Sequence, residues 1–320
     1  MPQCVKPITP APAYLQFYPT LRCNLSCEFC FNRGLSRMTD ADPDDFQKIV
    51  AAAAGHGIGH IDFLGGEPTL HPDIADMIAM IESAGLMTTL SSNGTHPEIL
   101  ARLSRRFPET ALRIGVSINT ASVGSGLLDY IKAYRPIVKT LFSGRADVFD
   151  SGALADIQAM GVSLRLIYKD AVNEADLAGR VPFEEFYRVL RRIKSDRPNV
   201  EGVFCSGFLP EADFPALRRV RCPAGTTKLA VLPDGSVYPC YLLFRDKRFR
   251  LGNLLEDDFS AIWENSRLDY FRSFEKNGCP NTGCDWFGQC HGGCPAAAWM
   301  FHRDLSGPDP RCCGLSGGGE

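Results

Sequence analysis

At 320 residues the chain is long enough for a large core, and one big domain beside a small one is the natural expectation. Its 45% hydrophobic and 22% charged content is that of an ordinary globular protein, and a net charge of −3 gives no reason to expect nucleic acid or an anionic membrane as partner. No apolar run nears the roughly 18 residues that a spanning helix needs. The proline-rich residues 1–12 lack the pattern of a signal peptide, so a cytoplasmic protein is expected.

In chain order, residues 14–21 read as a strand that runs into the first cysteines. Asp42 caps a helix that starts on Pro43, with Phe46, Ile49, Val50 and Ala53 on one face and Gly55 at its close. Residues 61–64 form a short strand ending in Gly65-Gly66-Glu67-Pro68. A second helix carries Ile74, Met77, Ile78 and Ile81 and stops at Gly85. Strands follow at 87–90, ending in Ser91-Ser92-Asn93-Gly94, then at 112–119 and 162–168. A helix with Phe186, Val189, Leu190 and Ile193 leads to a sixth strand at 200–204. The stretch 120–150 is less regular, and its helix cannot be placed from the pattern. Alternating strands and helices predict a parallel sheet with its chemistry at the strand C-termini. The expected fold is α/β: a partial (β/α)6 TIM-like barrel over residues 14–205, after an N-terminal extension 1–13. A linker, 206–221, then precedes a small cysteine-rich α+β domain, 222–320, opening on a hairpin around Asp234-Gly235.

Thirteen cysteines are too many for disulfide-free structural use, and they are bunched. Three fall within 23–30 and eight between 222 and 313, with Cys4 and Cys205 apart. Without an export signal, metal ligation is the better reading than a disulfide framework. Cys23, Cys27 and Cys30 form C-x3-C-x2-C on the loop after the first strand. Three such thiolates can hold three irons of a [4Fe–4S] cube and leave the fourth open, whereas structural zinc wants four ligands.

The cysteine loop, with Phe29 before its last cysteine, resembles the radical S-adenosylmethionine (SAM) superfamily, and Gly65-Gly66-Glu67-Pro68 matches that superfamily's GGEP motif. The resemblance implies a [4Fe–4S] cluster on Cys23, Cys27 and Cys30. It also implies SAM bound near Phe29, Gly65, Gly66, Glu67, Pro68, Ser92, Asn93 and Ser117, with Glu67 on the SAM ammonium. A Gly-rich strand end would let the backbone approach the ligand. Asn119 and Arg165 are weaker candidates, each as readily a turn or ion-pair residue.

Downstream, Cys222, Gly235 and Cys240, then Cys279, Cys284, Cys290 and Cys294, then Cys312-Cys313, resemble the SPASM domain of peptide-modifying radical SAM enzymes. The spacing agrees at every interval except Cys279 to Cys284, which is x4 rather than x2. Carried over, Cys222, Cys240 and Cys294 hold a first auxiliary cluster. Cys279, Cys284, Cys290 and either Cys312 or Cys313 hold a second. The first then lacks a fourth ligand, and the expectation is an open site with Cys205 uninvolved. Zinc knuckles are the alternative for this tail.

The resemblance implies an enzyme that reductively cleaves SAM to a 5′-deoxyadenosyl radical and abstracts hydrogen, with flavodoxin or ferredoxin as reductant. Its substrate is expected to be a ribosomally made peptide, oxidatively modified or crosslinked. A small-molecule dehydrogenase, decarboxylase or cofactor-maturation enzyme is the alternative, and a non-catalytic iron–sulfur electron carrier a further one. Tyr241 follows Cys240 where sulfatase maturases place an Asp base; a phenol with a pKa near 10 is a poor base, which disfavours that activity. With the first strand starting near Tyr14, leader recognition is expected from the barrel rim or a separate leader-binding protein.

Overall fold

The computed structural model describes residues 11–35, 37–150, 152–208 and 220–312. Most of the expected linker, together with Cys4 and Cys313, lies outside them. No helix among the described residues is long and apolar enough to cross a membrane.

Seven parallel strands alternate with helices. They are β1 (Tyr14–Phe17), β2 (His60–Phe63), β3 (Met87–Ser92), β4 (Leu112–Ser117), β5 (Ile137–Leu141), β6 (Leu164–Ile167) and β7 (Val200–Val203). The helices between them are α1 (Pro43–Gly55), α2 (Ile74–Ser83), α3 (Pro97–Arg106), α4 (Ser125–Tyr134), α5 (Gly152–Ala159), α6 (Glu174–Leu177) and α7 (Phe183–Asp196). The C-terminal part adds β8 (Lys228–Val231), β9 (Ser236–Tyr238) and β10 (Gly252–Asn253). It also carries α8 (Phe259–Trp263), α9 (Asp269–Arg272) and α10 (Pro295–His302).

The local chemistry explains these elements. Asp42 accepts from the backbone N–H groups of Asp44 (2.9 Å) and Asp45 (3.2 Å), so α1 starts where a capping carboxylate and Pro43 start it. The stripes expected to be apolar on α1, α2 and α7 are the buried ones. β1 is shorter than expected because the chain turns away at Pro19, which has no N–H for a ladder.

The open partial barrel stands, with one more strand than the sequence pattern gives. β5 went unread because Ile137-Val138-Lys139-Thr140-Leu141 carries a lysine mid-strand and follows Arg135, whose left-handed backbone (φ 48°) ends α4 without a glycine. The C-terminal hairpin is not a separate layer. β8 pairs in parallel with β1, Tyr14 opposite Lys228, so one ten-stranded sheet runs β10-β9-β8-β1-β2-β3-β4-β5-β6-β7 across both parts of the chain. The core is continuous for the same reason: Leu15 and Phe17 of β1 are buried in one cluster with Leu229 and Val231 of β8.

Alternation gives the sheet a second, polar face. Gln16 stands opposite Asp62, and Asp62 opposite Thr89; further round, Ser117, Lys139, Arg165 and Glu201 form a row. Arg165 Nε lies 3.4 Å from Glu201 Oε2, an ion pair in which that buried nitrogen still has no hydrogen-bond partner. Burial pushes the Asp62 carboxyl up and the Lys139 ammonium down to about 8, Asp62 opposing the second shift. The Lys139 ammonium lies 2.6 Å from the Ser91 hydroxyl.

Candidate active site and auxiliary cysteine sites

The cysteine loop and the GGEP turn are built as one unit. The Gly66 N–H donates to the Thr20 carbonyl (3.0 Å) and the Glu67 N–H to the Arg22 carbonyl (2.8 Å). A Cβ on Gly65, whose φ is +128°, would lie 2.4 Å from the Thr20 oxygen, and one on Gly66 would lie 2.0 Å from the Arg22 oxygen. Both glycines are therefore required by the backbone that leads into Cys23, a nearer cause than the approach of a ligand. Pro68 starts a single 3-10 turn, where its missing N–H costs nothing.

Glu67 is buried and heavily engaged. Its Oε1 accepts from the Thr69 N–H (3.1 Å), the Thr69 hydroxyl (2.7 Å) and the Ser92 hydroxyl (2.9 Å), and its Oε2 from the Asn93 N–H (2.7 Å). Each carboxylate oxygen has two lone pairs, so Oε1 is crowded by three donors while Oε2, with one, keeps room for another. Ser92 and Asn93 thus hold Glu67. The Asn93 amide also reaches Asn24 Oδ1 (2.8 Å) and Cys23 Sγ (3.9 Å), and Asn24 donates to the Thr95 hydroxyl (2.7 Å). Asn32 donates to the Gly65 carbonyl (2.6 Å), and Arg245 donates to the carbonyls of Phe31 and Arg33. Ser117 sits at the end of β4, half-buried, and Phe29 is half-buried in the loop. Asn119 accepts from the Leu141 N–H (2.8 Å), which makes it a brace between β4 and β5.

The three thiols share one neighbourhood. Burial raises the Cys27 pKa, and the charges of Cys30 and Cys23 raise it further. Three mutually repelling thiolates fit a cationic metal centre. Among the described residues no group of three or more His, Cys, Asp or Glu is gathered closely enough to hold a metal ion in the geometry as it stands. A four-iron cube spreads its thiolates wider than a single ion does. Beside the loop, the buried atoms Asn32 Oδ1, Tyr18 Oη, Gln16 Oε1 and Asp62 Oδ1 have no protein hydrogen-bond partner. Such atoms at the strand C-termini suit a polar ligand, which SAM is.

One C-terminal cysteine, Cys240, comes to the same mouth, since the Tyr241 beside it packs on Phe31 of the cluster loop. Tyr18 is buried, and burial first, then the charges of Cys240, Asp62, Cys30 and Asp170, hold its pKa far above the usual value. Cys222 feels Cys240 and Cys294, and Cys240 feels Cys294, so these three form one set. Cys279 and Cys284 lie on turns fixed by Asn277 Oδ1 (2.9 Å to the Cys279 N–H) and the Asn281 carbonyl (3.3 Å to the Cys284 N–H). Burial pushes Cys290 up to about 11, opposed by the Gly292 N–H at 3.2 Å from its sulfur. Cys312 is half-buried, while Cys313 falls outside the described residues. His291 stacks on Phe274 with ring centroids 3.5 Å apart, and its Nδ1 lies 2.9 Å from the Val220 carbonyl, a structural role.

The sequence pattern gave no sign of what positions these loops. Arg311 is buried between Asp309 and Asp170 (3.0 Å), donates to the Lys169 carbonyl (3.1 Å) and lies over the Tyr168 ring, pinning the C-terminal segment to the end of β6. Asp309 in turn accepts from the Cys294 N–H (2.7 Å). Tyr241 donates to Asp170 (2.6 Å) and packs on Phe31, centroids 4.7 Å apart. Burial and Asp170 keep it a neutral phenol, in keeping with its unsuitability as a base.

Residues 17–140 match the radical SAM superfamily and residues 222–295 the iron–sulfur cluster-binding SPASM domain. The chain is a radical SAM enzyme with a SPASM domain, and its cofactors are [4Fe–4S] clusters and SAM. More particularly, it is 27% identical to mycofactocin maturase MftC of Mycobacterium ulcerans, over 94% of this chain and 88% of the relative. It is 26% identical to the PqqA peptide cyclase of a Methylobacterium species, over 96% and 88%. In fold it is similar to Streptococcus suis SuiB bound to S-adenosylmethionine, with a TM-score of 0.74 at 19% identity, covering 95% of this chain and 77% of that one.

Proposed function

We propose that this enzyme oxidatively modifies or crosslinks a ribosomally made peptide. One observation carries the reading furthest: the two cysteine segments meet, Phe31 beside Cys30 packing on Tyr241 beside Cys240 with ring centroids 4.7 Å apart. A substrate in that mouth would lie between the site of hydrogen abstraction and an exit for the electron left behind. Relatives named as a mycofactocin maturase and a PqqA peptide cyclase, matched over nearly the whole chain, support the peptide as substrate class.

In this reading Cys23, Cys27 and Cys30 hold the first cluster, and Cys222, Cys240 and Cys294 the first auxiliary one. Cys279, Cys284, Cys290 and either Cys312 or Cys313 hold the second. SAM held beside the cluster of Cys23, Cys27 and Cys30 would supply a 5′-deoxyadenosyl radical on one-electron reduction. The residues of the chain orient and enclose. The spare acceptor on Glu67 Oε2 receives the SAM ammonium, held level by Ser92 and Asn93. Phe29 and the Gly65-Gly66-Glu67-Pro68 turn wall the site, and Ser117 offers a hydroxyl from β4. A flavodoxin or ferredoxin is the reductant, and a thiol-preserving cytoplasm is the fitting compartment.

The test is turnover on a precursor. With reductant and SAM, the protein alone should release 5′-deoxyadenosine slowly. A short peptide encoded beside its gene should raise that rate and emerge lighter by an even number of hydrogens. Stimulation by a small metabolite and by no neighbouring peptide would move the substrate to the small-molecule class.

A further inference from the structure

We propose that Cys205 is the fourth protein ligand of the cluster held by Cys222, Cys240 and Cys294, closing it with a thiolate from the end of the barrel. The inference rests on the assignment of that auxiliary site above, and it reverses the expectation from spacing that the site stays open.

Cys205 lies two residues beyond the end of β7, and the chain turns there, the Phe208 N–H donating to the Cys205 carbonyl (3.1 Å). That turn is fastened to the Cys290–Cys294 loop. The N–H groups of His291 and Gly293 both donate to the Gly207 carbonyl, at 2.7 and 3.2 Å. A Cβ on Gly207 would lie 2.1 Å from the Gly293 oxygen, so only glycine lets the two segments meet this closely. Arg221, itself buried, donates to the same Gly293 carbonyl (2.8 Å). The Cys205 sulfur lies 4.0 Å from that oxygen, and its thiol is hydrogen-bonded to the Cys294 side chain.

Three of the four sulfurs share one cation: the half-buried Lys228 ammonium interacts electrostatically with Cys240, Cys222 and Cys205, while Cys294 interacts with Cys240 and Cys222. Four thiolates outweigh the charge of a four-iron core, and a buried net anion needs nearby positive charge. Lys228 and Arg221 supply it. The ligands then come from four places: the end of β7, the segment before β8, the end of the hairpin and the start of α10. A cube so closed has no iron free to chelate substrate. Its task is electron transfer.

The experiment uses the full chain with Cys23, Cys27 and Cys30 changed to Ala, so that only auxiliary iron remains. After anaerobic reconstitution, Cys205→Ala should lose about four iron per chain, or show one iron of a cube as a separate Mössbauer subsite. Cys205→Ser, which conserves size and offers an oxygen ligand, should keep the iron with an altered EPR signal of the reduced cluster. It decides the matter if the alanine variant does not fold. Parental iron and parental spectra in both variants would overturn the proposal. Cys222→Ala run in parallel separates the two levels: if it removes a cluster that Cys205 changes leave alone, only the fourth ligand is wrong. If it too leaves auxiliary iron unchanged, the site assignment falls and the proposal with it.

Discussion

Changing Cys23, Cys27 and Cys30 together to alanine should abolish SAM cleavage and remove about four iron per chain, leaving the auxiliary iron in place. The three thiols are close enough for Cys23 and Cys30 to raise the pKa of Cys27, and their loop needs no metal for its outer fastenings. Asn24 binds Thr95, Asn32 binds Gly65, and Arg245 holds the carbonyls of Phe31 and Arg33. The variant should therefore fold and load its C-terminal sites. Chromatographic assay of 5′-deoxyadenosine with iron analysis checks this. Retained SAM cleavage would place the reactive cluster elsewhere.

Gly66→Ala should weaken SAM binding by roughly tenfold or more, although it adds one methyl group. That group would stand 2.0 Å from the Arg22 carbonyl oxygen and 2.5 Å from its carbon. Both contacts are backbone, so no rotamer relieves them, and overpacking of this kind costs about 1–3 kcal/mol or more. Since about 1.4 kcal/mol is tenfold in affinity, a displaced Cys23 loop is felt at the ligand. Gly59→Ala is the control: its Cβ meets nothing within 4 Å, and SAM binding should be unchanged. Isothermal titration of the reconstituted protein with SAM distinguishes them. Equal affinity in both variants would mean that the turn and the loop are not one unit.

The repeating strands and helices were legible because their patterns are local. An Asp42-Pro43 start and the stripe from Phe46 to Ala53 specify α1 without reference to the rest of the chain. The two cysteine-bearing domains were legible because closely spaced thiolates are a recognisable pattern, and both regions match the expected families. Relations between distant segments were not. The place of β8 beside β1 depends on a register, Tyr14 opposite Lys228, that joins residues far apart in sequence. The GGEP glycines read as room for a ligand, whereas the carbonyls of Thr20 and Arg22 demand them first. Glu67 was expected on the SAM ammonium alone, whereas Thr69, Ser92 and Asn93 take most of its acceptor capacity. Arg311 carried no motif, yet it ties Asp170 and Asp309 together beneath Cys294. Cys205 stands seventeen positions before Cys222, and no spacing rule could reveal that the Gly207 turn brings it to Cys294.

The central claim is that this chain loads iron–sulfur clusters and cleaves SAM, and one anaerobic measurement tests it most directly. The reconstituted protein is assayed for metal and then reduced in the presence of SAM. The account predicts on the order of 8–12 iron per chain, from two or three cubes, and release of 5′-deoxyadenosine that requires the reductant. Stoichiometric zinc without iron, and SAM recovered intact after reduction, would contradict it.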